Sequence, residues 1–194
     1  MLTHVFLMLF LAAVPFWEAK PADSWTVEEA RALLTDSPWA QKADTGRNRD
    51  ELPAPVYLAS ADPVILAEDR LRASRRSHGE DPAWTEYREY LVENSGKYIV
   101  LAILVIKPEA LLDNSESRRM EEESVLRSGK RKYRVTGHFP PSRTDPFVRL
   151  VFPREVFDTD KSLRFELYVP GTGRPYRQAE FRLKDMLYRG KRSF

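Results

Sequence analysis

The residues able to carry out acid–base or nucleophilic chemistry are few in this 194-residue chain, which contains three histidines and no cysteine. His138 precedes Ser142 and Asp145 closely, so the three could form a base beside a hydroxyl. The chain has no Gly-x-Ser-x-Gly elbow, however, and the alternative is a histidine at a strand end before two prolines. Neither His78 nor His138 belongs to a His-x-x-x-His or Glu-x-x-His arrangement, so no metal site is predicted. The absence of cysteine also excludes disulfides and thiol catalysis.

Other motifs that suggest chemistry have simpler structural interpretations. Gly171-Thr-Gly173 joins two predicted strands, and Gly129-Lys130 lacks the upstream glycine of a Walker loop, so both are predicted turns. A carboxylate pair could act as acid and base, as in a glycosidase, but the sequence gives no basis for selecting two acids. Five aromatic residues could stack on sugar rings, although aliphatic neighbours favour the core: Trp25, Trp39, Trp84, Tyr87 and Tyr90. No catalytic residue and no cofactor are predicted.

One basic run is a candidate polyanion-binding segment. It surrounds Tyr133 and consists of Arg127, Lys130, Arg131, Lys132 and Arg134. Such a run could bind an anionic polymer, a phospholipid surface or nucleic acid. It follows Glu121-Glu122-Glu123, which we expect to neutralise it in part within a Debye length of about 8–10 Å. The alternative is a solvated strand and turn, and the formal net charge of only +2 argues against a dedicated nucleic-acid binder.

The N-terminal segment predicts export to the periplasm or the extracellular space. Val5 to Phe16 is an almost unbroken apolar run, which suits a signal-peptide core and is shorter than the roughly 20 residues that span a bilayer. We predict a signal peptide over residues 1–19 and a single domain over residues 20–194, with cleavage after Ala13 as a second possibility. No Lys or Arg precedes the run, so the alternative is an uncleaved membrane tether. No other transmembrane helix is predicted.

Any functional site must be positioned by the secondary-structure elements of the domain. The first of these is a predicted helix between Trp25 and Trp39. Thr26 and Glu29 have the spacing of a capping box, in which each side chain pairs with a free backbone N–H. Apolar residues recur at helical spacing along it: Val27, Ala30, Leu33 and Leu34. A helix this short must dock on the rest of the fold with its tryptophans as anchors. We predict that it lies on a sheet formed largely by the last third of the chain.

Two more helices are predicted in the N-terminal half. Asp62-Pro63 and Asp81-Pro82 each place a capping residue before a proline, which is a typical helix start. The first continues with a buried stripe of Val64, Ala67 and Leu71. The segment 40–53 is predicted to be a loop, and the segment 108–123 a short helical turn followed by an exposed arm.

The β pattern is strongest after residue 97. Tyr98 to Ile106 is predicted to be a central strand covered on both faces, with strands following over Lys132–Phe139 and Phe147–Phe152. Leu163–Val169 and Ala179–Leu183 alternate apolar and charged residues, and their outer charges can pair across strands at roughly 0.2–1 kcal/mol per pair. The predicted fold is α+β, with N-terminal helices packed on an antiparallel-rich sheet of five or six strands. A β-sandwich with a helical cap is the alternative.

Four segments carry a resemblance to a known family. They are Trp25 to Ala40, which ends Ser-Pro-Trp-Ala; Val56 to Ala67; Val148 to Arg154; and Ala179 to Lys191, which contains Phe-x-Leu-Lys-x-Met-x-Tyr-x-Gly-Lys. Together they resemble a family of uncharacterised exported proteins of soil bacteria. The resemblance implies export and a shared fold, and it brings no known activity or catalytic residue.

These observations favour a non-enzymatic exported domain that binds a protein or a cell-envelope component. The supporting features are the export signal, the apolar core and the absence of a recognisable catalytic motif. A hydrolase acting on envelope polymer or carbohydrate with a carboxylate pair is the alternative. An enzyme should show a cleft with convergent carboxylates, whereas a binding domain should show a shallow patch.

Overall fold

A computed structural model describes residues 14–45, 52–74, 81–156 and 159–194. Helices and antiparallel strands form separate parts of the fold, which confirms the predicted α+β class. Most of the predicted signal-peptide core and His78 lie outside the described residues. Over the described ranges, every helix is too short or too polar to cross a membrane.

The helices occupy the N-terminal half and one later segment. The α-helices in the described residues are α1 (Phe16–Ala19), α2 (Val27–Thr35), α3 (Asp62–Ser74), α4 (Pro82–Glu93) and α5 (Asn114–Glu123). Two 3-10 turns accompany them, over Ala22–Ser24 and Pro108–Leu112. The predicted capping box is confirmed, because the Thr26 hydroxyl accepts from the Glu29 N–H and the Glu29 carboxylate accepts from the Thr26 N–H. Asp81 likewise accepts from the Trp84 N–H at the start of α4.

The strands form two main antiparallel sheets. They are β1 (Ala40–Ala43), β2 (Ala54–Leu58), β3 (Tyr98–Leu104), β4 (Val125–Ser128), β5 (Arg131–Arg134), β6 (Gly137–Phe139), β7 (Phe147–Pro153), β8 (Ser162–Tyr168), β9 (Tyr176–Arg182), β10 (Leu187–Tyr188) and β11 (Lys191–Arg192). The first sheet has the order β1-β2-β3-β7-β6, and the second has the order β5-β4-β8-β9. Strand β3 is central and its middle residues are buried, as the sequence predicted.

The two sheets face each other and join at both edges. Phe152 of the first sheet packs against Phe165 of the second, with ring centroids 5.4 Å apart. At one edge the backbones of Asp44 and Gln178 form an antiparallel bridge between β1 and β9. At the other edge β5 continues directly into β6, so residues 131–139 pair with β4 and then with β7. The strands therefore form a closed antiparallel ring. Its two facing sheets are a feature that the alternative prediction, a β-sandwich with a helical cap, also contained.

Helices α2, α3 and α4 lie on the outer side of the first sheet, whereas α5 packs on β8 of the second sheet. The position of α2 corrects one prediction. Helix α2 packs chiefly on α3, β2 and β1, whereas it was predicted to lie on strands from the last third of the chain. Elements that are close in sequence usually pack beside one another because their connections are short. Helix α2 therefore contacts β1 and β2, which follow it in the chain. Trp25 and Trp39 are fully buried as predicted. The Trp39 indole N–H donates to the Ser193 carbonyl at 2.7 Å, which ties the helix to the C-terminal residues.

Two segments predicted to be irregular contain regular elements, although residues 46–51 of the first lie outside the described residues. The predicted loop 40–53 begins with β1. The predicted arm before Ser124 is helix α5, whose start is capped by Asp113. Arg119 pairs with both Glu116 and Glu123, so this helix is stabilised by its own charges. Its buried Met120 is a single apolar anchor, too little to make the stripe by which sequence patterns are recognised.

Residues 14–19 are expected to contribute to the stability of the domain. Phe16 packs edge-on against Trp25, Trp17 packs edge-on against Trp39, and the Glu18 carboxylate accepts from the Arg189 N–H. Removing residues 1–19 should therefore lower the free energy of unfolding by about 2 kcal/mol relative to removing residues 1–13. Urea denaturation of the two truncated proteins measures this difference. Equal stabilities would show that these aromatic contacts contribute nothing.

Candidate functional site

Three elements bring a cluster of charged residues together beneath the helices. Strand β7 supplies Arg149, the turn before it supplies Asp145, and helix α3 supplies Glu68. Arg149 is the Cα partner of Ala102 on β3, so a small side chain lies beside the long one. Arg149 points to the helix-covered side of the sheet, where a cation must find anionic partners to offset its lost hydration.

The cluster is held by short ion pairs in a buried setting. Nη2 of Arg149 lies 2.8 Å from Oε1 of Glu68, and Nη1 lies 2.6 Å from Oδ2 of Asp145. The Arg149 and Glu68 side chains are each only 4% exposed. The Tyr57 hydroxyl donates to the same Glu68 oxygen at 2.8 Å. Because both charges are removed from water, this pair is sensitive to the loss of either partner.

The buried ion pair also leaves polar atoms without protein partners. Burial raises the pKa of Glu68, while the charge and hydrogen bond of Arg149 oppose that rise. Glu68 holds Arg149 as a cation although burial alone would lower the arginine pKa. Among the described residues, nothing donates to Oε2 of Glu68 and nothing accepts from Nε of Arg149. A buried carboxylate oxygen of this kind normally accepts a hydrogen bond from a water molecule or from a ligand.

A cleft, here called the Trp84 cleft, opens above this cluster. Its floor contains Glu68 and Arg149, and its half-buried rim consists of Leu34, Leu71, Arg72, Trp84 and Phe147. Its volume is about 80 Å³, well below the roughly 300–1,000 Å³ of pockets for drug-sized ligands. The cleft can therefore hold several waters or the end of one side chain, but it cannot enclose a sugar ring.

Trp84 is the aromatic centre of the cleft. The guanidinium carbon of Arg72 lies 4.8 Å from the Trp84 ring, and that of Arg149 lies 5.2 Å from it. Arg149 also lies 4.3 Å from the ring of Tyr87, which is fully buried in the middle of α4. Cation–π contacts of this kind contribute about 0.5–2 kcal/mol and fix the orientation of both groups.

Asp81 connects the rim of the cleft to the turn that carries Asp145. Its carboxylate accepts from the hydroxyls of Ser142 and Thr144, and it lies 3.5 Å from the Arg72 guanidinium. Burial alone would raise the pKa of Asp81, but these hydroxyls, the Trp84 N–H and Arg72 together lower it to about 2. The ionised carboxylate is thus the form that the folded protein stabilises.

Asp81 should make the stability of the protein depend on acid pH. Its folded pKa of about 2 lies below the ordinary value of 3.8, so its contribution is present above pH 4 and is lost as the pH falls to 2. That loss should be on the order of 2 kcal/mol. We expect Asp81→Asn to be less stable near pH 6 and to show a flatter decline between pH 4 and pH 2. Parallel decline of both proteins in urea titrations would contradict this assignment.

The geometry does not bring together the three residues that were considered as a possible base beside a hydroxyl. His138 Nδ1 lies 2.7 Å from the Glu121 carboxylate, whereas Ser142 donates to Asp81. Asp145 pairs with Arg149, so His138, Ser142 and Asp145 do not form a catalytic arrangement. Within the described ranges, no three His, Cys, Asp or Glu side chains are placed to hold a metal ion.

The predicted basic run is divided between the two faces of its sheet. Arg127 and Lys132 are partners across β4 and β5, so they share the outer face with Arg134, while Arg131 has the opposite orientation. Arg127 pairs with Glu166 at 2.6 Å, and Arg131 pairs with Asp160. These five residues therefore do not make one uniform patch.

Two other predictions about surface charge have different outcomes. Glu121 pairs with His138 and Glu123 with Arg119, so these two carboxylates form no ion pair with the basic run, and its partial neutralisation over a longer distance stays a prediction. The predicted cross-strand pairing is confirmed for Arg164 and Glu180, which are partners on β8 and β9 and lie 3.6 Å apart.

A polyanion should contact the outer face of the second sheet if it binds at all. Lys132, Arg127 and Arg164 lie opposite one another on three neighbouring strands. Like charges in this arrangement repel one another, so a bound anion would relieve the repulsion. We expect Lys132→Glu with Arg134→Glu to reduce retention on a heparin column. The matched control is Arg131→Gln, which changes a residue on the other face. Unchanged retention of the double variant would exclude this surface.

Sequence reasoning missed the two residues at the centre of the cluster. Glu68 follows Val64 and Ala67 at helical spacing, so it falls on the buried stripe of α3. Arg149 is the only charged residue in the apolar strand Phe-Val-Arg-Leu-Val-Phe-Pro. For both Glu68 and Arg149, the signal in the sequence was a charged residue inside an apolar pattern. The two signals had to be combined to predict a buried ion pair.

Comparisons with known proteins add no relative. The chain matches no protein-family model, no curated protein and no solved structure. The resemblance to exported soil-bacterial proteins therefore stays a prediction.

Proposed function

We propose that this protein is an exported, non-enzymatic domain that binds a protein or a cell-envelope component through the Trp84 cleft. The observation that carries the proposal is the half-buried rim of Trp84 and Arg72 above a floor whose charges are held by ion pairs. Tryptophan, tyrosine and arginine are the residues most enriched at the centres of protein interfaces. A rigid floor of this kind lowers the entropic cost of binding.

The size and charge of the cleft favour binding over catalysis. A volume of about 80 Å³ accommodates one side chain or a small group of a larger partner. Asp145 and Glu68 both pair with Arg149, so neither is placed to move freely toward a substrate. The free Glu68 oxygen would accept a hydrogen bond from the bound group.

Export is part of the same proposal. Cleavage after Ala13 would leave Phe16 and Trp17 on the domain, whereas cleavage after Ala19 would remove their contacts with Trp25 and Trp39. The packing therefore favours cleavage after Ala13 or retention of the segment as a tether. N-terminal sequencing of the protein recovered from its own host distinguishes these cases.

Co-sedimentation with purified envelope fractions tests the binding function. We expect the wild-type protein to bind a protein-containing or polymer fraction, and Trp84→Ala and Arg72→Glu to bind about tenfold more weakly or less. Val92→Ala is the matched control, because Val92 is an exposed apolar residue on the same helix. Circular dichroism melts establish that each variant is folded. Equal binding by wild type and both cleft variants would remove the cleft from the function.

A carboxylate-pair hydrolase is the second candidate, and Glu68 is the observation that favours it. Its pKa is raised by burial, one oxygen is free, and Asp145 lies on the other side of the same guanidinium. A general acid needs such a raised pKa. Hydrolysis of envelope polymer by the wild type that Glu68→Gln abolishes would replace the binding proposal with this one.

A further inference from the structure

A second cleft, here called the Arg154 cleft, lies on a different part of the molecule. It is enclosed by the start of α3, the end of α4, the start of β3 and the C-terminal residues, and its volume is about 210 Å³. The residues that matter for its chemistry are Asp62, Tyr90, Ser95, Tyr98, Arg154 and Arg192. It shares no lining residue with the Trp84 cleft.

Arg154 is a partly desolvated cation without an anionic partner at bonding distance. Its guanidinium carbon lies 4.4 Å from the ring of Phe194, which fixes the group against one wall. Its side chain forms no hydrogen bond or ion pair with any of the described residues, although its backbone N–H donates to the Lys97 carbonyl. Burial lowers the pKa of Arg154, and the charge of Asp62 partly opposes this. A cation in this setting gains free energy when an anion binds it.

The other lining groups suit a small anion with a carbon skeleton. Asp62 is occupied by Ser193, whose hydroxyl donates to it at 3.1 Å. Arg154 and Arg192 both line the cleft, and Asp62 is the one acidic side chain among its lining residues. The rings of Tyr90 and Tyr98 lie 5.8 Å apart and form an aromatic wall on the same cleft.

We propose that the Arg154 cleft binds a small organic anion, with its carboxylate or phosphate paired to Arg154 and its carbon skeleton against Tyr90 and Tyr98. This site is separate from the Trp84 cleft, so the proposal goes beyond the binding function stated above. The volume of about 210 Å³ limits the ligand to something smaller than a drug-sized molecule.

Nuclear magnetic resonance titrations of the full chain test this site directly. The probes are sodium glucuronate, glucose 6-phosphate and neutral glucose, each at the same ionic strength set with sodium chloride. The readout is the Nε–Hε signal of Arg154, which is identified by its absence in Arg154→Gln. We expect saturable shifts with one or both anions and none with glucose, and about tenfold or more weaker binding to Arg154→Gln.

Two variants make the outcome specific. Ser95→Trp should block the cleft without removing a charge, because Ser95 is exposed at its edge. Arg182→Gln is the matched control, since it removes an exposed arginine of β9 that lines neither cleft and should bind the anions normally. A response to glucuronate alone assigns carboxylate chemistry, and a response to glucose 6-phosphate alone assigns phosphate chemistry. Absence of saturation by both anions, an equal response to glucose, or undiminished binding by Arg154→Gln would overturn the proposal.

Discussion

Replacement of Arg149 by methionine is expected to lower the free energy of unfolding by about 3–5 kcal/mol, because it leaves Glu68 buried without its cationic partner. Glu68 is 4% exposed and its Oε1 would keep only the Tyr57 hydroxyl. Urea denaturation at pH 7 measures the loss. The matched control is Arg127→Met, which breaks a partly exposed pair with Glu166 and should cost about 1 kcal/mol or less.

A second substitution separates the cost of the lone charge from the cost of lost packing. Glu68→Gln in the Arg149→Met background removes the charge that the first change leaves behind, so part of the stability should return. A cost for Arg149→Met no larger than that of Arg127→Met would show that the buried ion pair contributes little to the fold.

Truncation of Phe165 is the other change with a large expected effect, about 3–5 kcal/mol. Phe165 is fully buried, and its ring lies 5.4 Å from that of Phe152 and 5.7 Å from that of Phe181. Because Phe152 belongs to the opposite sheet, Phe165→Ala creates a cavity between the two sheets. Thermal and urea unfolding should both show the loss, and Val92→Ala, an exposed truncation on α4, should change stability by about 0.5 kcal/mol or less. A melting midpoint equal to that of the wild type would mean that the sheets do not depend on this contact.

Local patterns predicted much of the fold because their causes are local. The Thr26–Glu29 capping box and the Asp81-Pro82 helix start depend on residues within one helical turn. The alternation along Leu163–Val169 likewise reports one strand, whose outer face is exposed at Arg164 but buried at Tyr168. Helix α5 was missed, because its ion pairs and its single buried methionine leave no apolar stripe.

The arrangement of strands that are far apart in sequence was harder to predict. The predicted sheet of five or six strands exists as a five-stranded sheet, but a second sheet faces it through Phe152 and Phe165. The connection between β5 and β6 at Val135-Thr136 joins the sheets, and Gly137 directly after it was included in one predicted strand over Lys132–Phe139. Such closure depends on which strands pair, and strand pairing across long sequence separations is weakly encoded in any one segment.

The candidate site was hidden from sequence for the same reason. Glu68 and Arg149 are separated by 81 positions, so the charge that each places inside an apolar pattern does not identify the other as its partner. Trp84 was recognised as aromatic and assigned to the core, whereas it is half-buried at the rim of a cleft. Burial in three dimensions, and not residue type, distinguishes these residues from the many other charges in the chain.

Site-specific photocrosslinking tests most directly whether the Trp84 cleft is the binding surface. Benzoylphenylalanine in place of Leu34 would put the reactive group on the half-buried rim, and the same residue in place of Arg134 would put it on the outer face of the second sheet. With the protein expressed in its own host, we predict a discrete covalent adduct from position 34 that is lost in Trp84→Ala and is not formed from position 134. Absence of an adduct at position 34, or an identical adduct from position 134, would contradict the account.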